Sequence, residues 1–179
     1  MKVCFIGGCG HWWDAYEHLK TREDVDFCGF APASEHEERN ESIMADIPFY
    51  ADYRVMLNAT RPDLAIVSPV YGLTGKINIE CAERGINVFS EKPIACSMEE
   101  LNRLRVAVDK HGVRLGAMHY LRTHPAFWRA AELVRAGSIG KITMITAQKS
   151  YKYGTRPAWY GDRALYGGTI LWVGIHAID

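Results

Sequence analysis

The first residue with a chemical use is a lysine delivered by a β-prone run. Asn87-Val88-Phe89-Ser90 leads straight into Glu91-Lys92-Pro93, so Lys92 stands at the carboxyl end of a strand, where open α/β sheets place their ligands. The blander reading is a solvated loop lysine, because lysines are almost never fully buried unless paired. Proline lowers the penalty for a cis bond, and a cis Lys92-Pro93 turn could aim the ammonium inward. The second chemical group is backbone. Val3-Cys4-Phe5-Ile6 is followed by Gly7-Gly8-Cys9-Gly10, and His11 to Lys20 reads as a helix. Glycines let the chain approach a pyrophosphate, and the helix start at His11 offers it unpaired N–H groups and a positive dipole end. The G-x-G-x-x-G fingerprint is imperfect. Counted from Gly7, Cys9 and Trp12 fill the second and third places; counted from Gly8, Gly10 is regained and Trp13 stands third. A plain tight turn would leave the same cluster.

These groups need a sheet to hold them, and the apolar pattern supplies one. Val25 to Ala31 is a second strand, ending where a dinucleotide-binding fold carries a carboxylate for the ribose 2′-hydroxyl. Here that place is Ala31, followed by Pro32-Ala33-Ser34. Its loss leaves NADP as plausible as NAD, while Glu35, Glu37 and Glu38 oppose a 2′-phosphate unless they point away. The run Glu35 to Glu41 equally suits a solvated helix face. Phe49 to Tyr53 is a short strand and turn, and Arg54 to Asn58 a short helix. Asp63 to Pro69 is a continuous apolar strand of the kind buried on both faces, closed by Pro69. Thr74 to Arg84 is a helix stopped by Gly85. Ser97 and Glu100 form a capping box before a helix over Met98 to His111, which buries Leu101, Leu104 and Val108. Arg114 to Met118 is a further strand. Such alternation predicts an α/β fold with a doubly wound parallel sheet.

Pro125 to Ala136 is another helix. Lys141 to Lys149, rich in Ile and Thr, is expected to open a separate sheet. Residues 150 to 168 carry Tyr151, Tyr153, Trp159, Tyr160 and Tyr166; such a loop is more often a packing element than a binding one. Lys plus Arg (21) equals Asp plus Glu (21), so no global field draws the chain to nucleic acid or to an anionic membrane. Five cysteines with no CxxC read as reduced thiols of a cytoplasmic protein, and no metal site is indicated. The N-terminal apolar run is too short for a signal peptide or a span.

Glu91-Lys92-Pro93, Gly112-Val113, Arg122-Thr123-His124-Pro125, Gly137-Ser138-Ile139-Gly140, Gly167-Gly168 and Gly174-Ile175-His176-Ala177-Ile178-Asp179 occur in order. Together they resemble the Gfo/Idh/MocA family of NAD(P)-dependent oxidoreductases. The resemblance implies a dinucleotide-binding Rossmann domain over 1–120. It also implies a partial C-terminal substrate and oligomerisation domain over 121–179, whose sheet forms homo-oligomers in many members. The implied activity is hydride transfer between NAD or NADP and a sugar, polyol or related small molecule. Expected cofactor contacts are Gly7, Gly8, Gly10 and His11 at the first turn, Ala31 and Ser34 after the second strand, Pro69 and Thr74 after the third, and Glu91 with Lys92. By resemblance Lys92 hydrogen-bonds the reacting oxygen, and His176 is the general acid/base, a role suited to its unperturbed pKa near 6.5. Without the resemblance, His176 reads as a helix histidine packed beside Trp172.

Three departures mark this chain. Trp172 stands where most members have the Asp of D-x-G-x-H, and would narrow the pocket or stack on a sugar or aromatic ring. Thr74 stands where many have a histidine, and Cys9 with Trp12 breaks the fingerprint. Two readings follow, an oxidoreductase in which Lys92, Trp172 and His176 meet the substrate, or a non-catalytic dinucleotide-binding sensor. A remnant with no ligand is a third. The chain ends inside what should be a helix, so a truncated piece with a stable core to about residue 120 is expected, and strand 141–149 would carry unpaired edges.

Overall fold

The computed structural model describes residues 1–37, 40–150 and 152–179; Glu38 and Tyr151 of the expectations above lie outside them. Five parallel strands form one sheet: β1 (Lys2–Ile6), β2 (Asp26–Ala31), β3 (Leu64–Val67), β4 (Asn87–Ser90) and β5 (Leu115–Ala117). Their spatial order is β2-β1-β3-β4-β5. Val3 to Ile6 and Ala65 to Val67 are buried on both sides, as strands covered by two helical layers must be. The chain leaves β1 for one edge and returns to β3 on the other side, so the carboxyl ends of β1 and β3 flank the crevice where open α/β sheets bind ligands.

One layer consists of α3 (Tyr53–Thr60), α4 (Thr74–Glu83) and α5 (Met98–His111), and the other of α1 (Trp12–Leu19) with the short α2 (Glu41–Met44). Cys4, Ile6, Met56, Val67, Ile77 and Cys81 share the first core; Val3, Phe5, Trp12, Phe30, Met44 and Ile66 share the second. Local chemistry starts α5 at the predicted Ser97 cap, and α3 at Asp52, inside the expected turn. The Asp52 carboxylate accepts the N–H groups of Arg54 and Val55, and Ser97 Oγ that of Glu100. The Glu100 side chain returns to the Cys96 N–H at 2.9 Å, satisfying a second donor at the start of α5.

Several expectations are corrected. Among the described residues of the run Glu35 to Glu41, none before Glu41 is helical, α2 beginning only there, and Glu37 is buried. Phe49 makes a single parallel bridge to Phe30 instead of a strand. In α5 the buried positions are Leu104 and Ala107, with Leu101 and Val108 half-buried; α5 packs against α4. Residues 141–149 form no strand, because a strand is defined by a paired neighbour and none lies alongside. Among the described residues from 119 to 158 none is buried. The helix α6 (Pro125–Arg135) therefore leaves Phe127 and Trp128 exposed. All five cysteines are free. Among the described residues no helix is long and apolar enough to cross a membrane.

Candidate functional site

The turn after β1 is held by bonds that depend on its residue types. Gly7 has φ +83°, and a Cβ there would stand 2.5 Å from the Pro69 backbone, so only glycine lets β1 close onto the end of β3. Its N–H donates to Ala31 O at 2.9 Å. Cys9 N–H donates to Ser68 O at 2.7 Å, and Ser68 Oγ donates back to Cys9 O. The Cys9 side chain packs against the cluster of Val70, Tyr71 and Trp159, which accommodates a residue larger than the fingerprint glycine. Burial, with Glu37 and Glu91 nearby, pushes its thiol up to about 12. Trp12, in the third place, lies edge-on to Phe5 and donates Nε1–H to Gly8 O at 3.1 Å. An indole wedge thus stands where a third glycine would allow close helix packing, and it ties down the turn.

Glu91 joins this turn to the lysine. It is fully buried. Its Oε2 accepts the His11 backbone N–H at 2.7 Å and meets His11 Nδ1 at 2.9 Å, while Oε1 accepts the Lys92 N–H at 3.0 Å. Gly10 has φ +68°, and any Cβ there would overlap the Glu91 carboxylate. Burial raises the Glu91 pKa, but the His11 hydrogen bond and the Lys92 charge outweigh it and hold the carboxyl below its ordinary value. The Lys92-Pro93 bond is cis. Lys92 is only 2% exposed. Its Nζ donates to Trp172 O at 3.0 Å, lies 4.4 Å from the Trp172 ring centroid, and stands 3.7 Å from Glu91 Oε1. Burial, opposed by Glu91, lowers its pKa to about 8. A lysine so placed is both a cation and, near neutrality, a proton carrier.

Trp172 and His176 part company. A π-helical turn over Ile170–Gly174 precedes α8 (Ile175–Ile178), after a further short helix α7 (Arg163–Tyr166). Trp172 stacks on Tyr71 at 5.1 Å, whereas the His176 ring lies 5.2 Å from Tyr120 and 6.3 Å from His119. Burial, and next the Lys92 charge, lower the His176 pKa to about 4. Tyr120 is the hub that sequence reasoning missed. Its ring lies 5.7 Å from His11 on another side, and its hydroxyl accepts Lys149 Nζ at 2.9 Å. Its signal was position, just beyond the carboxyl end of β5; Lys149, ending an exposed segment, had none. The aromatic loop packs: Trp159 and Tyr160 lie 5.2 and 6.1 Å from Tyr71.

The other expected positions divide. Ala31 is wholly buried and presents no side chain to the crevice. Ser34 Oγ donates to Glu37 Oε1 at 3.2 Å. Pro69 backs Gly7, and Thr74 is buried at the start of α4 with its hydroxyl unpartnered among the described residues. Glycine turn, Glu91, Lys92 and His176 come together; Ala31 and Thr74 remain packed inside. A groove of about 920 Å³ beside α1 shares His11 and Tyr120 with this site, but neither Lys92 nor His176 lines it.

The crevice fits a dinucleotide. Gly8 and Cys9 are half exposed at the switch between β1 and β3; the His11 N–H expected to be unpaired is instead taken by Glu91 Oε2 and the Asp14 N–H returns to His11 O, so only the N–H groups of Trp12 and Trp13 open α1 without a partner in the helix. Fold and crevice define a Rossmann-type nucleotide-binding protein. Residues 1–119 match the family described as "Oxidoreductase family, NAD-binding Rossmann fold", and residues 127–179 match the "GFO/IDH/MocA C-terminal domain". The chain belongs to the Gfo/Idh/MocA oxidoreductase family, whose cofactors are NAD or NADP. It is 31% identical over 161 residues to D-xylose 1-dehydrogenase (NADP(+)) 2 of Haloferax volcanii, covering 82% of this chain and 49% of that protein. It is 28% identical over 145 residues to scyllo-inositol 2-dehydrogenase (NADP(+)) of Bacillus subtilis, covering 79% and 40%. A solved protein from Thermotoga maritima, provisionally described as an oxidoreductase, superposes with TM-score 0.93 at 40% identity, over 100% of this chain and 57% of its own. The chain thus spans half or less of these two curated relatives.

Proposed function

We propose that this chain carries the dinucleotide-binding and proton-handling part of an NAD(P)-dependent oxidoreductase. The reaction moves a hydride between nicotinamide and the hydroxyl or carbonyl carbon of a sugar, polyol or related small molecule. The observation that carries this reading is the buried Lys92 ammonium at the end of β4, joined through Glu91 to His11, where the dinucleotide turn passes into α1. The xylose and inositol relatives support the substrate class.

Bound nicotinamide supplies or takes the hydride; this chain's residues manage charge and proton. Lys92, positively charged below about 8, hydrogen-bonds the reacting oxygen and stabilises negative charge developing there. His176, neutral above about 4, accepts the hydroxyl proton in the direction of oxidation. Trp172, stacked on Tyr71, forms an apolar wall for the C–H face of a sugar ring. Residues 1–120 form the dinucleotide domain and 121–179 part of the substrate domain.

Lys92→Ala is expected to lower turnover of a polyol panel by about 10²-fold or more while leaving NADH affinity within experimental error. Unchanged turnover would remove Lys92 from the mechanism. A second reading, a dinucleotide sensor without turnover, is favoured by one observation. Lys92 Nζ is already engaged by the Trp172 backbone carbonyl. Saturable NADH binding with no turnover on any polyol would select it.

A further inference from the structure

The charges around the candidate site pair off with one exception. Glu91 faces Lys92, with Oε1 3.7 Å from Nζ, and the Asp179 carboxylate accepts Arg122 Nε and Nη2 at 2.5 to 2.9 Å. Lys149, at the end of the exposed segment, has no such carboxylate. Among the described residues its ammonium bonds only to Tyr120, donating to the hydroxyl at 2.9 Å and lying 5.6 Å from the ring centroid. The Tyr120 ring in turn lies 5.2 Å from that of His176. Lys149 is half-buried, so its charge is partly withdrawn from water with no counter-charge, which is unfavourable by itself. That charge is felt in the site. After burial and Lys92, it does most to lower the His176 pKa.

We propose that Lys149 and Tyr120 form an anion clamp beside His176, and that the substrate is a sugar acid whose carboxylate these two side chains hold. The proposal rests on the oxidoreductase reading above and adds the charge of the substrate. An ammonium has three N–H donors and a phenol one O–H. Tyr120 takes one donor of Lys149, which leaves two, and the phenol that accepts from Lys149 keeps its own O–H to give. Two donor atoms 2.9 Å apart suit the two oxygens of one carboxylate, and such charge-assisted bonds are the strong ones. One unmatched positive charge balances one carboxylate, whereas a phosphate ester brings a charge of about −1.5 to −2 and leaves a surplus. A neutral sugar leaves Lys149 uncompensated. Beside Lys92 the wall is the Trp172 indole, 4.4 Å from Nζ and stacked on Tyr71, so that wall does not repel an anion. In oxidation the hydroxyl carbon of the acid loses a hydride to the oxidised nicotinamide and its oxygen loses a proton to His176, leaving a carbonyl; the carboxylate is unchanged and serves only to place the reacting carbon.

The test is calorimetric titration of the full chain in the presence of NADH or NADPH, which blocks oxidation during the measurement. The probes are D-glucuronate, D-galacturonate and D-gluconate, each against its neutral counterpart D-glucose, D-galactose or D-glucitol, with D-glucose 6-phosphate as the phosphate arm. At least one acid is expected to bind about tenfold or more tighter than its neutral counterpart, the size of one hydrogen bond to a charged group, and the preference should shrink as salt is added. Lys149→Met keeps the length and removes the charge, and should bring acid and neutral sugar within about threefold. Lys149→Arg keeps the charge and should restore the preference, both variants being shown by their melting curves to be folded. Acids that bind no tighter than neutral sugars overturn the proposal while leaving the oxidoreductase reading intact. A folded Lys149→Met protein with the wild-type preference overturns the assignment to Lys149. Tighter binding of the phosphate ester than of every acid overturns the carboxylate. Binding of none of the probes overturns the proposal together with the substrate class on which it rests.

Discussion

Lys92 is 2% exposed with one close carboxylate, and such a charge stays buried only when its surroundings hold it in place. Its pKa lies at about 8 in the folded chain, against an ordinary value of 10.5. Below about 8 both folded and unfolded chains carry the proton, and the full penalty of the buried charge is present. Between about 8 and 10.5 the unfolded chain binds the proton more tightly, so stability rises with pH across that window. Melting temperatures of wild type and Lys92→Met should therefore converge or cross as pH climbs from 8 to 10.5, the variant lacking this upward term of a few kcal/mol at most. The sign reverses for chemistry. Carbonyl reduction needs the protonated lysine, so its kcat/KM should fall above about 8, while oxidation keeps its neutral His176 down to about pH 4. A reduction profile flat to pH 10 would exclude the lysine as the group that polarises the oxygen. Trp12 gives a second prediction. Trp12→Phe keeps the ring contact with Phe5 and loses the Nε1–Gly8 O bond; stability should drop by about 1 kcal/mol and NADH affinity with it, read by denaturant midpoint and titration.

Two elements, the β1–turn–α1 unit and the β4–α5 connection, meet through Glu91. The first requires glycine at position 7, because its φ of +83° and the Pro69 backbone 2.5 Å from any Cβ leave no room for a side chain. Gly7→Ala should lower stability by about 2 kcal/mol or more and abolish dinucleotide binding, whereas Gly112→Ala, with open space around its Cβ but φ +64°, should lower stability by about 1 kcal/mol and leave binding unchanged. Equal effects on binding from the two substitutions would show that the close approach to Pro69 does not matter. The second ends at the Ser97 cap that starts α5, and Ser97→Ala should cost about 1 kcal/mol in chemical denaturation.

On the scale of the whole molecule, the sheet and its two helical layers bury their apolar faces, while the described residues 119–158 bury none. Segments with few buried contacts open at low free energy and are cut first. Limited proteolysis should therefore cleave within 126–157, leaving a resistant product close to residues 1–120. Resistance of that segment in a monomer would sink both the expectation of a stable core to about residue 120 and the boundary proposed there.

The sequence by itself determined the fold class and the places where chemistry gathers. Strands such as Leu64–Val67, the cap Ser97, and the lysine after Asn87–Ser90 are local signals, carried by periodicity, turn chemistry and a short list of side-chain donors. Which groups meet across the chain was decided only in three dimensions. Glu91 reaches His11 across 80 residues, Glu37 folds in to Val70 when its charge run suggested a solvated face, and Tyr120 joins His11, Lys149 and His176. These contacts depend on strand order and on one π-helical turn, and both are set by the packing of distant segments. The stretch 141–149 shows the converse. Its composition favours a strand, but a strand forms only against a partner, and composition does not supply one.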